Sequence, residues 1–419
     1  MKRLFIALAT VSLILTGCSK NETEDYNIPN PDVITFSSST SRAVIADLST
    51  LTNATNGFRV YGKTNDVNNA WYTNVDGANN YKYSTSWGWA GTPATWPTSA
   101  ASYPMNFYAM YPDVAPAETP ATALTREITI AGSAGTQEDL LAAKATANAK
   151  PASGQLSMVF NHILSKVNFG VIAGNGMTPE VQSVEVRNVH SKNTYDYISQ
   201  AWDVTTTDIA SYDYFRNTAL PFTTTGSDED TPVPFYTDNT TPTAASAHLM
   251  LMPQSPATSA PEPWDKTQSD LDTDAYIKVI YRITDASGNY IGYDKGADYL
   301  TDYTNYPNDI TWEPYTGGLG TNGTTEYNGH LYICVGFPLT INWTPGKGYT
   351  YNICLGTASS TNGYYVDDTY YDENGVDTGI PINGPDDKPV KPGDPVTGGT
   401  INFLISVANW DDTTPTPLQ

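Results

Sequence analysis

An all-β fold is predicted for this chain, and three observations predict it. Tyr, Gly and Pro are plentiful, at 29, 32 and 29 copies among 419 residues, which suits short strands joined by many turns. Apolar residues recur at every second position through most of the chain, the spacing of a half-buried strand. Pro and Gly punctuate these runs roughly every 8 to 15 residues, as in a β-sandwich. The length suffices for two or three domains of about 100 to 200 residues each.

The N-terminus is read before the fold begins. Lys2 and Arg3 precede an apolar stretch from Leu4 to Leu15. That stretch is too short for a spanning helix of about 20 apolar residues, so residues 1–17 are expected to be a signal peptide. Leu15-Thr16-Gly17-Cys18 resembles the bacterial lipobox, which makes Cys18 the lipidated first residue of the mature protein and ties it to the outer membrane. The following Ser-Lys-Asn-Glu-Thr-Glu-Asp is similar to the acidic tether that sends lipoproteins of Bacteroides-type bacteria to the outer face. Residues 18–31 are polar and contain Pro, as a flexible tether requires.

Strand candidates then follow in order. Val33–Ser38 is the first, and residues 39–43 after it are small and polar, an exposed loop ending at Arg42 and Ala43. Phe58–Tyr61, the aromatics Tyr81, Tyr83, Trp87 and Trp89, and Asn106–Tyr111 continue the pattern. Gln137–Ala147 favours helix by propensity but is short, so a helical turn or extended crossover is expected at a domain edge. Leu156–Phe160 and His162–Val171 alternate again, and the composition places a boundary near Gly154. That divides the chain into 32–153 and 154–419. Further candidates are Val181–Val189, His248–Met252, Tyr276–Ile283, Leu331–Phe337 and Tyr349–Leu355. Residues 357–399 are rich in Gly, Pro and Asp and read as a long exposed loop. The last strand, Thr400–Asn409, places Ile401, Phe403, Ile405 and Val407 on one face and closes with Trp410.

Charge excludes one class of partner. A formal net charge of −23 and a pI near 4.3 repel nucleic acid. No GxSxG, HExxH, phosphate loop or dinucleotide fingerprint occurs, and the four His show no ligand spacing, so neither enzyme activity nor a cofactor or metal is expected. Asp372–Asp377 carries part of a calcium-loop spacing but lacks the full pattern. Cys334 and Cys354 sit in apolar, strand-like runs. Two buried free thiols are the preferred reading over a disulfide, which requires Cα atoms within about 7 Å. The aromatics between Trp71 and Trp96 suit either a sandwich core, the favoured reading, or a sugar-stacking platform. The platform would make the chain a glycan-binding lipoprotein that keeps its anchor.

Several segments together resemble the fimbrillin family. They are Gln137-Glu-Asp-Leu-Leu-Ala-Ala-Lys-Ala145, Leu156–Phe169, Leu249-Met-Leu-Met-Pro-Gln254, Trp343–Asn352 and Ile401–Trp410, in that order behind a lipobox. The resemblance implies two tandem transthyretin-like β-sandwiches and a structural pilin of surface fimbriae, supporting adhesion and biofilm formation. It implies other fimbrillin subunits as partners, with a host protein or glycan as receptor. It also implies that an arginine-specific protease cuts after the first strand, for which Arg42–Ala43 is the matching position. The strand lost with the N-terminal piece would then be replaced by a strand from another subunit. Residues 400–410 are the candidate donor, with Ile401, Phe403, Ile405, Val407 and Trp410 as the inserted side chains.

Overall fold

The computed structural model describes residues 31–38, 57–65, 71–83, 87–89, 91–113, 124–132, 137–174, 176–203, 208–216, 222–223, 232–235, 248–255, 274–285, 290–291, 319–321, 325–327, 332–339, 342–355, 363–372, 375–382, 390–394, 396, 401–409 and 416–417. Among them the fold is all-β; the one helical element is a 3-10 turn at Ala100–Ser102.

The first part of the chain supplies β1 (Thr35–Ser38), β2 (Gly57–Lys63), β3 (Trp71–Tyr83), β4 (Trp87–Trp89), β5 (Met105–Tyr111), β6 (Thr125–Thr129), β7 (Leu141–Ala147), β8 (Gln155–Met158) and β9 (Phe160–His162). Six of these form one sheet in the order β4-β3-β2-β5-β7-β9, while β1 and β8 pair with each other. Alternation along β5 sorts its side chains between two cores. Met105, Phe107, Ala109 and Tyr111 join a cluster with Ile34, Phe36, Met158 and Phe160. Tyr108 and Met110 point the other way, into the larger core. Both faces of this sheet are therefore covered.

The segment expected as a helical turn or crossover is a strand. β7 pairs with β5 over seven positions and with β9 on its other side. Its alanines lie under 5% exposed at 142, 143 and 147, where small side chains let layers approach closely. Burial on two faces overrides the helical preference of Leu-Ala-Ala-Lys-Ala, since propensity is worth only tenths of a kcal/mol per residue.

The remainder supplies β10 (Ser165–Ala173), β11 (Met177–His190), β12 (Lys192–Asp196), β13 (Ala201–Trp202), β14 (Ile209–Arg216), β15 (Phe222–Thr223), β16 (Val233–Pro234), β17 (Leu249–Leu251), β18 (Tyr276–Asp285), β19 (Tyr290–Ile291), β20 (Leu319–Thr321), β21 (Thr325–Tyr327), β22 (Ile333–Pro338), β23 (Lys347–Leu355), β24 (Tyr364–Tyr365), β25 (Thr369–Tyr371), β26 (Asp377–Pro381), β27 (Ile401–Asn409) and β28 (Thr416–Pro417). Two sheets make a sandwich. One runs β16-β10-β23-β27-β28 with β17 also on β10; the other runs β14-β11-β18-β22-β24. Val167, Phe169, Tyr351 and Ile353 from the first meet Val184, Val279, Tyr281 and Val335 from the second.

Pairing crosses the boundary expected at residue 154. β8 and β9 lie beyond it yet pair with β1 and β7, while β6 pairs with β12 from the later part. The crossover between the cores falls near Ile163, the first residue after β9 that belongs to the larger cluster. Residues 357–399 also depart from a plain exposed loop. They contain β24, β25 and β26, and bury Tyr365, Tyr370, Ile382, Val390 and Val396 in the larger core.

Candidate functional site

The most distinctive site is the seat of β1. This short strand and the residue just before it place two apolar side chains, Phe36 and Ile34, in the core, only 3% and 0% exposed. Phe36 is ringed by Tyr81, Phe107, Trp89 and Phe58, with centroids 5.2, 5.7, 5.8 and 6.2 Å away and edge-to-face geometry. Such pairs prefer this arrangement because a ring's positive edge meets a negative face.

Main-chain bonds hold both sides of the strand. β1 pairs in parallel with β8, Thr35 facing Gln155 and Ser38 facing Met158. On the other side the Ile34 N–H donates to the Ala94 carbonyl at 2.8 Å, and the Trp96 N–H donates to the Asp32 carbonyl at 2.9 Å. Side chains add to this: the Trp89 indole N–H donates to the Ile34 carbonyl at 2.7 Å, and the Phe36 N–H donates to the Tyr81 hydroxyl at 3.1 Å. Burial pushes the Tyr81 hydroxyl above its ordinary pKa, so it stays a neutral hydrogen-bonding group. Lys150 and Asp32 form an ion pair at the strand's entrance.

Gly154 is the hinge of the seat. Its carbonyl accepts from the Thr35 N–H at 3.0 Å and from the Trp96 indole at 2.9 Å. Its φ is +70°, and a Cβ there would lie 2.9 Å from the carbonyl oxygens of Pro31 and Val33. Only glycine accommodates both demands.

The predicted donor strand is at present part of its own sandwich. β27 pairs antiparallel with β23 over nine positions, Leu355 facing Ile401 and Lys347 facing Asn409. Among the described residues its other side carries the two-residue β28. Ile405 and Val407 are half-buried against the larger core. The side chains of Ile401 and Phe403 lie outside the described set, and β1 belongs to a different sheet. Cys18, Arg42, Ala43 and Trp410, together with the signal peptide and tether, lie outside the described residues.

Other candidates resolve into structure. Tyr81 and Trp96 are buried and Trp89 is half-buried in the smaller core, so these rings fill a sandwich; the side chains of Trp71 and Trp87 are outside the described set. Cys334 and Cys354 are free and buried. Their chain neighbours Val335 and Ile353 enter the shared core, so alternation turns the two thiols onto opposite outer faces of the sandwich. Burial raises the Cys334 thiol to about 12, which keeps it protonated and unreactive. Asp372 accepts from the Val376 N–H at 2.8 Å, and Asp377 accepts from the Gly379 N–H and the Thr369 hydroxyl at 2.8 and 2.7 Å. Those acids shape a turn between β25 and β26. Among the described residues no group of three or more His, Cys, Asp or Glu is placed to hold a metal. His162 bonds Asp139 at 3.0 Å, and burial lowers His190 and takes His248 to about 4.

Two features escaped the sequence. A bidentate pair joins Arg282 to Glu180 at 2.7 Å on both nitrogens, with the Tyr332 hydroxyl donating to the same carboxylate at 3.2 Å. Matching these partners from sequence needs the β11–β18 register. The aromatic ring around Phe36 was equally hidden, because its members come from β2, β3, β4 and β5.

The site is a short strand seated among apolar side chains of an all-β scaffold. A model described as fimbrillin-like matches residues 41–366. No curated protein matches. Among solved structures, a fimbrial protein from Bacteroides vulgatus is 14% identical, covering 77% of this chain and 94% of that one with a TM-score of 0.49. The tip fimbrial protein Mfa3 from Porphyromonas gingivalis, with C-terminal truncation, is 10% identical, covering 74% and 92% with a TM-score of 0.28. The chain belongs to the fimbrillin-like family, since the matched span is well over half of its length. It is a pilin-like adhesion subunit of cell-surface fimbriae that assembles with other pilin subunits, and not an enzyme.

Proposed function

We propose that this subunit is exported as a lipoprotein anchored through Cys18, is cut after Arg42, and polymerises when another subunit's strand takes the place of β1. The observation that carries this reading is the seat of β1. Ile34 and Phe36 are packed into the smaller core, and the strand is attached through its C-terminal end to the segment containing Arg42.

Energetics explain why cutting comes first. Burying two side chains of this size stabilises the seat by about 1.5–3 kcal/mol each. While the strand stays covalently linked it also competes at an effective concentration in the mM range, which no outside strand matches. Cutting after Arg42 removes that advantage and lets residues 1–42 diffuse away. The vacated groove then presents unpaired main chain on β8 and at Ala94–Trp96, together with an apolar pocket, and β-augmentation satisfies both.

The donor is the C-terminal segment. β27 lies one short strand from the edge of its sheet among the described residues. Surface-recovered protein should begin at Ala43 rather than Cys18 and should run as ladders resistant to sodium dodecyl sulfate. Deleting residues 400–419 should abolish the ladders. Protein verified as cut after Arg42 that stays monomeric would refute the proposal.

A further inference from the structure

We infer that the incoming β27 sits in the β1 groove in one fixed register, with Ile401 replacing Ile34 and Phe403 replacing Phe36. This rests on the strand exchange proposed above and goes beyond it by assigning each side chain to a pocket.

The groove asks for a particular pattern. Its deep pocket is walled by the rings of Phe58, Tyr81, Trp89 and Phe107, and its neighbour two residues earlier holds a fully buried aliphatic side chain. The placeholder answers with Ile34-Thr35-Phe36, and β27 begins with Ile401-Asn402-Phe403. Of the four alternating apolar positions on that face of β27, only 403 is aromatic. A slip by two residues would put an isoleucine in the ring-lined pocket, and a slip by one would reverse the faces. Val167-Asn168-Phe169 and Val335-Gly336-Phe337 carry a similar pattern, but they lie in β10 and β22, each with a paired strand on both sides.

Beyond Phe36 the two strands part company. β1 ends at Ser38, which faces Met158 in the parallel register. The core does not stop there: Met158 and Phe160 are both buried, and the Phe160 ring lies 5.0 Å from that of Phe58. In the inferred register Ile405 comes opposite Met158, and Val407 falls two residues further along, where β8 gives way to β9. β1 thus offers two apolar anchors where β27 offers four. The native first strand is a weaker occupant than its replacement, which makes the exchange run one way.

Cross-linking reads the register. Ser37 faces Ser157, which is exposed, so in this register Leu404 takes the position opposite Ser157. Full-length subunits carrying Ser157→Cys are cut with an arginine-specific protease and mixed with equally cut subunits carrying Leu404→Cys, Asn402→Cys or Ser406→Cys. Disulfide-linked dimer should form about tenfold more with Leu404→Cys than with either neighbour, equivalent to about 1.4 kcal/mol of register preference. Dominant linkage through 402 or 406 overturns the register while strand exchange stands. Detergent-resistant ladders without linkage to position 157 show that β27 is not the occupant of this groove. Absence of ladders from fully cut protein sinks the exchange itself, and the register with it.

Discussion

Truncating Phe36 to Ala tests the seat of β1 directly. An aromatic side chain buries roughly 150–250 Å², which at about 25 cal/mol per Å² amounts to about 4–6 kcal/mol of transfer free energy. Phe36 is 3% exposed and touches four rings at 5.2 to 6.2 Å, so nearly all of that burial is lost on truncation. The β-carbon is retained and the cavity relaxes in part, which leaves an expected cost of about 3–5 kcal/mol. The loss should be local. Phe36 belongs to the smaller core, whereas β10, β11, β18 and β23 frame the larger one. Hydrogen exchange in uncut protein should therefore accelerate at 57–63 and 105–111 while 165–173 and 276–283 keep their protection. Urea unfolding followed by tryptophan fluorescence measures the same change, since Trp96 is buried in that core. A cost below about 1 kcal/mol, the scale of a surface substitution, would refute the claim that Phe36 plugs the groove.

Three further outcomes follow from named contacts. Gly154→Ala should cost at least 1–2 kcal/mol, on the order of the strain for a left-handed residue, and should expose residues 31–38 to proteolysis ahead of global unfolding. Arg282→Met strands the Glu180 carboxylate in a largely buried place and should cost about 3–5 kcal/mol, whereas adding Glu180→Leu should recover most of the loss in thermal denaturation. His248 is held neutral by burial, with Lys166 nearby, and titrates near 4 when folded. The unfolded chain takes up its proton near 6.5, so the stability His248 contributes is complete above that pH and drains away between 6.5 and 4. A drop of up to about 3 kcal/mol across that window, flattened by His248→Asn, should appear in denaturation at a pH series.

Much of the fold is legible in the chain because alternation needs no partner to be seen. β5, β10, β11, β18, β22, β23 and β27 all lie within or across the segments that period-two patterning marks. β7 is not legible, because Ala carries little hydrophobic signal and a strong helical bias, and only burial on two faces decides its state. The segment after residue 357 hides its core residues differently. Tyr365, Tyr370, Ile382, Val390 and Val396 are spaced too widely among Gly, Pro and Asp to show any period. The pairing of β6 with β12 and of β8 with β1 joins residues far apart in sequence, and no local pattern encodes a distant partner. For the site, Val33–Ser38 reads as a strand from its own residues, while the ring of aromatics that receives Phe36 exists only after four other strands have been brought together.

The Thr35 amide and hydroxyl both donate to the Gly154 carbonyl, across 119 residues of sequence. A chain emerging from its N-terminus has therefore made β1 long before anything exists to receive it, and the smaller core stays unsealed until β8 arrives. Closing so large a loop is slow on entropic grounds. The first of the described strands is thus seated only when the eighth arrives. Its delayed seating gives the smaller core a latch, at the same joint where assembly is proposed to begin.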